Sequence, residues 1–131
     1  MGYKMRQMDG SFYIPNNLLE DSLASLKGEV RYNNTIWSEY VSVQDLMDSK
    51  SLQDAMILLG WKLYQTEDGS VNGIHFSGES YQEDFRIFQA LAPYARTHSW
   101  IIMKGESGDL WRWLIRDGKC IEQAAKIYFE D

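Results

Sequence analysis

The tripeptide Trp111-Arg112-Trp113 carries the most distinctive chemistry in this 131-residue chain. In an extended segment successive side chains face opposite sides, so Trp111, Trp113 and Ile115 share one face and Arg112, Leu114 and Arg116 the other. An exposed arginine ringed by aromatics has the composition of an interface hot spot. The plainer reading is that the tryptophans are core and that Arg112 pairs with a carboxylate, since cores absorb most large aromatics. Trp37 and Tyr40 are further candidate anchors, because Trp and Tyr bring large contact area at low entropy cost. Glu106 and Asp109 sit among glycines in a turn; they read first as solvated loop residues and second as partner contacts.

Catalytic chemistry has fewer footholds. His98 and Cys120 would need to come within hydrogen-bond reach, with a third group orienting the base, to make a nucleophile. Together with Arg112 and Glu106 they define the alternative to a contact surface, a small ligand or enzyme pocket between the helices and the C-terminal sheet. His75, His98 and Cys120 lack any metal-ligand spacing, and no metal is expected. Gly105 and Gly108 are not followed by the Lys-Ser/Thr element of a phosphate loop, and Glu67-Asp68-Gly69-Ser70 lacks the alternating oxygens of a calcium loop. No cofactor is expected, and catalysis is not the favoured reading.

Charge bounds the partners. The formal net charge is −6, and the lysines and arginines are scattered singly along the chain. With no basic run in the sequence, nucleic acid is not the expected partner. Acidic doublets recur (Glu20-Asp21, Glu67-Asp68, Glu83-Asp84, Glu130-Asp131) and suit a basic groove on a protein. Cys120 stands alone, so no intramolecular disulfide can form, which fits a reducing cytoplasm. The opening residues lack the apolar run of a secretory leader, and no apolar stretch reaches membrane-spanning length. A chain of this length fits a single domain over 1–131.

The elements that must position these residues follow from turn and cap signals. A strand is expected over residues 2–8, closed by Asp9-Gly10. A helix is expected from about Asn17 to Lys27, with capping-box spacing at Asn17 and Glu20 and a stop at Gly28. Glu29–Tyr32 and Ile36–Val41 read as extended. Ser42 with Asp45 opens a short helix through Met47, and Ser51 with Asp54 opens one to Leu59. Trp61–Gln65 and Val71–Phe76 form a hairpin. Ser80 and Glu83 cap a helix in which Pro93 either ends the helix near Leu91 or makes a kinked last turn. Trp100–Lys104, Leu110–Arg116 and Lys119–Phe129 make a C-terminal meander, with a tight turn at Asp117-Gly118 and a bulge near Ala124-Ala125. This order predicts an α+β fold, with three to four helices on one face of a mainly antiparallel sheet.

Ala90-Leu91-Ala92-Pro93-Tyr94, Ser99-Trp100-Ile101-Ile102, Gly105-Glu106-Ser107-Gly108-Asp109-Leu110-Trp111-Arg112-Trp113 and Asp117-Gly118-Lys119 together make a recognisable pattern. The last 45 or so residues resemble a group of small uncharacterised bacterial and phage proteins, with Ser107 where that group carries an acidic residue. The resemblance implies an α+β fold with a C-terminal hairpin and no particular activity. Its setting suggests an inhibitor of a host defence complex or an immunity-type factor. The expectation from the sequence is therefore a non-enzymatic protein–protein interaction module, with an edge-strand homodimer compatible with it.

Overall fold

Buried aromatic and aliphatic side chains organise the described chain, residues 4–77, 83–126 and 129 of a computed structural model, into an α+β fold. Four antiparallel strands form the main sheet in the order β1 (Met5–Ser11), β4 (Trp100–Gly105), β5 (Leu110–Arg116), β6 (Lys119–Ala124). β2 (Trp61–Gln65) and β3 (Val71–Phe76) form a separate antiparallel hairpin. The core joins this hairpin and the helices to the inner face of the main sheet, which contributes Ile101, Met103, Trp113, Ile115 and Cys120. The expected class and C-terminal meander are those observed, with five α-helices among the described residues.

The N-terminal strand becomes an edge of the main sheet by pairing with β4. It does not turn at Asp9-Gly10, as the dipeptide predicts, but runs through to Ser11. The register shifts between Gln7 and Asp9, and Met8 is left exposed there. Gly10 serves close approach instead of a turn: a Cβ there would lie 2.9 Å from Gln7 Nε2 and 3.4 Å from the Trp100 carbonyl. The Gln7 amide donates to the Ile74 carbonyl (2.9 Å) and accepts from the Phe76 N–H (3.0 Å). It thereby serves two backbone groups of β3 and joins the two sheets.

The helical segment departs most from its sequence pattern. Asn16–Leu18 forms a single 3-10 turn, and α1 (Leu19–Tyr32) begins without a side-chain cap, so the Asn17/Glu20 spacing goes unused. α1 also passes straight through Gly28, since Leu26 and Val30 are both fully buried on either side of it. Glu29–Tyr32 is thus helical, and α2 (Asn34–Trp37) replaces the strand expected near Ile36. Glu29 Oε2 accepts from Asn33 Nδ2 and Trp37 Nε1, both at 2.9 Å, a tertiary arrangement that no local pattern announces.

Local signals otherwise hold. Ser42 caps α3 (Val43–Met47) by accepting from the Asp45 N–H, and Ser51 caps α4 (Leu52–Leu58) by accepting from that of Asp54. α5 (Asp84–Leu91) ends two residues before Pro93. Of its expected cap, Ser80 lies outside the described residues, and Glu83 occupies the N-cap without a side-chain cap bond. Asp117 and Gly118 take φ values of 52° and 80°, as a tight hairpin turn between right-twisted strands requires. The β5–β6 register is unbroken to Ala124, where β6 ends, so no bulge forms there.

Gly28 is exposed inside α1, and an added Cβ would meet nothing within 4 Å. Gly28→Ala should therefore stabilise the protein by about 0.5–1 kcal/mol, chiefly by restricting the unfolded chain. Urea unfolding monitored by circular dichroism checks this, with a raised midpoint at unchanged slope as the expected outcome.

Candidate functional site

The strand parity expected around Trp111-Arg112-Trp113 is realised. Trp113 is 4% exposed and stacks on Phe88 at 5.2 Å between ring centroids, and its indole N–H donates to Glu122 Oε1 at 2.7 Å. Trp111 packs edge-on to Trp113 at 6.0 Å, and its Nε1 is buried with no acceptor among the described residues. With Trp113 and Ile115 turned inward, Arg112, Leu114 and Arg116 point to the outer face of the sheet.

Register assigns the rest of that face. Across the strands Trp100 stands opposite Leu114, and Leu114 opposite Ile121. These residues form an apolar row in which Leu114 is buried while Trp100 and Ile121 are half-buried. Trp100, Ile102, Leu114 and Ile121 are not part of the core cluster that joins the sheet to the helices.

Cations flank this row at both ends. Arg116 pairs across the strands with Lys119 on one side. On the other side Arg6 pairs with Lys104, and Arg112 stands opposite Ile102. The absence of a basic run along the chain thus does not carry over to the folded surface, because antiparallel pairing makes neighbours of residues 6 and 104. Like charges directly opposite on one sheet face are destabilising, yet none of these five cations is ion-paired to a described carboxylate. Asp9, opposite Ile102, is the single carboxylate that the described strands place on this face.

Arg112 is the best-organised of the five. Its Nε and Nη2 both donate to Gln123 Oε1, the former at 2.9 Å, so its partner is an amide oxygen in place of the carboxylate expected from the sequence. The neutral amide fixes the plane of the guanidinium and leaves its charge uncompensated, with Nη1 unpartnered among the described residues. A shallow groove of about 400 Å³ opens beside it, lined by Ile102, Leu110, Trp111, Arg112, Gln123 and Lys126. Planar guanidinium in such a setting recognises carboxylate or phosphate.

The remaining sequence candidates separate. Trp37 is fully buried and donates to Glu29, so it is a core residue and not a surface anchor. Tyr40 is exposed but belongs to the link between α2 and α3. Glu106 and Asp109 lie in the β4–β5 turn; Asp109 Oδ1 accepts from Ser107 Oγ at 2.9 Å, and the Glu106 N–H bonds the Lys4 carbonyl at the edge of the cationic end.

The alternative pocket is not assembled. His98 is exposed with a left-handed φ of 71°, Arg112 faces outward, and Cys120 is buried on the inner face opposite Ile115. Among the described residues no three His, Cys, Asp or Glu side chains gather as a metal site, and no helix is long and apolar enough to cross a membrane. Trp100, Ile102, Lys104 and Ile121 are functional candidates that sequence reasoning passed over. Their alternation within β4 and β6 carried the signal, but which face packs on helices is a tertiary fact.

Compared with known proteins, the chain matches no family model, no curated protein and no solved structure.

Burial, aided by the negative charge of Glu122, pushes the Cys120 thiol from its ordinary 9.0 up to about 12. The fold therefore keeps a proton that the unfolded chain releases, and stability falls as pH rises from 9.0 toward 12. Below that window the group contributes no pH dependence. Cys120→Ala should flatten the alkaline limb of a stability-versus-pH curve, and native Cys120 should react with a thiol reagent at pH 8 far more slowly than in urea.

Proposed function

We propose that this protein is a non-enzymatic protein–protein interaction module whose contact surface is the outer face of the four-stranded sheet. The observation that carries the reading is the pair of like-charged cross-strand couples, Arg6 with Lys104 and Arg116 with Lys119, set around an apolar row and given no described counter-carboxylate. An isolated sheet gains nothing from that arrangement, whereas a partner with an acidic surface relieves the repulsion and covers Trp100, Ile102 and Ile121 together. Arg112, held in plane by Gln123, has the residue type and setting of a binding hot spot.

On this reading the protein acts by occupancy and turns over no substrate. The resemblance of its C-terminal third to phage and bacterial proteins points to an inhibitor of a host complex or an immunity-type factor.

A photo-crosslinking amino acid at position 121 should capture one stoichiometric partner in lysate of the source cells, whereas the same group at position 62, on β2, should not. Arg112→Ala, folded by circular dichroism, should lose that partner by about tenfold or more, the usual scale for a hot-spot arginine. Equal capture from positions 121 and 62, or undiminished recovery with Arg112→Ala, would contradict the assignment.

A further inference from the structure

The spacing of charge and apolar surface on this face specifies what it grips. Along β5 the outward residues are Arg112, Leu114 and Arg116. Successive outward residues of a strand are roughly 6.6 Å apart, which puts Arg112 about 13 Å from Arg116 and Lys119 with the apolar row midway, and the Arg6–Lys104 couple, level with Leu110, one step beyond Arg112. An extended chain has the same two-residue repeat. A segment reading acidic-x-apolar-x-acidic therefore presents one carboxylate to Arg112, one to Arg116 and Lys119, and one apolar side chain to Trp100, Leu114 and Ile121 in a single register.

Resting on the reading of this face as a contact surface, we infer that the partner element is an exposed extended segment or strand of an acidic protein with that five-residue alternation. One of its carboxylates sits on the guanidinium of Arg112 beside the groove, and the other meets Arg116 and Lys119. Arg112 offers a fixed planar edge, since Gln123 takes up its Nε and Nη2. A single-stranded nucleic acid fits less well. Trp100 is the one aromatic that the described strands turn outward in the apolar row, where base stacking needs a platform of several. The net charge of −6 also repels a long phosphate chain outside the patch.

The test is fluorescence anisotropy at low salt with four probes. The first is a nine-residue peptide of the repeat Glu-Ser-Val-Ser closed by Glu. The second has the same composition with its glutamates in one block. In the third, Gln replaces each Glu of the first. The fourth is a twelve-nucleotide oligothymidylate.

The patterned peptide should bind roughly tenfold more tightly than either peptide control. Its affinity should fall with added salt. Arg112→Gln and the double variant Arg116→Gln, Lys119→Gln should each reduce it several-fold, and Lys62→Gln should leave it unchanged. Equal binding of patterned and blocked peptides would overturn the register, and equal binding of the Gln peptide would overturn the anionic partner. Tighter binding of the oligonucleotide would overturn the class of partner. In each of these cases capture through position 121 can still succeed, so failure here is distinguishable from failure of the contact surface itself. Should Arg112→Gln unfold, the Arg116/Lys119 variant at the turn carries the same test.

Discussion

Everything else in this protein is arranged around one aromatic cluster. Trp61 contacts Phe88 at 4.9 Å, Phe76 at 4.8 Å and Trp113 at 6.1 Å between ring centroids, and Phe88 also meets Phe12 at 5.8 Å. These rings come from β2, β3, α5, β5 and the segment after β1, so one cluster joins both sheets to a helix. Both of its indole N–H groups are accommodated: that of Trp61 donates to the buried Asp84 carboxylate at 2.9 Å and that of Trp113 to Glu122 Oε1 at 2.7 Å. Edge-to-face geometry adds about 0.5–1.5 kcal/mol per pair beyond area burial. The cluster therefore favours one arrangement of its rings over alternatives that merely bury them.

That constraint reaches the outer surface through strand parity. Because side chains alternate along a strand, committing Trp113 to the cluster commits Arg112 and Leu114 to the opposite side, and a slip of one residue would invert both faces. The register then propagates through β4 to β1, where Arg6 meets Lys104, and through β6, where Arg116 meets Lys119. The cationic face is thus a consequence of where the rings go, and it coexists with a net charge of −6 because the described strands turn only one carboxylate, Asp9, to this side. Solvent screening keeps the cost of the like-charged pairs modest in the free protein.

Legibility from sequence tracked the range of the interaction responsible. Ser42, Ser51, the β2–β3 hairpin and the Asp117-Gly118 turn were all readable, since each depends on hydrogen bonds or backbone angles within a few residues. Two glycine signals misled for a common reason. Gly10 answers to the Gln7 amide and to the Trp100 carbonyl across the sheet, and Gly28 is overridden by the burial of Leu26 and Val30. Residues 29–41 read as extended yet fold as helix and turn, because Glu29, which receives Asn33 and Trp37, acts between helices. The candidate site was half legible. Arg112 stands out by its neighbours, while Trp37, a candidate anchor by residue type, is buried, because nothing local distinguishes a buried tryptophan from an exposed one.

By itself the sequence determined the class, the C-terminal meander, most element ends and the alternation that sets Arg112 apart from Trp111 and Trp113. These are properties of periodicity and turn chemistry, which act over a few residues. Only the tertiary structure decided which side of the sheet meets the helices, that β1 pairs with β4 so that Arg6 meets Lys104, and that five cations scattered between residues 6 and 119 share one sheet face. Antiparallel pairing brings strands within about 5 Å whatever their separation in the chain, so a surface charge pattern is a property of register that no linear reading contains.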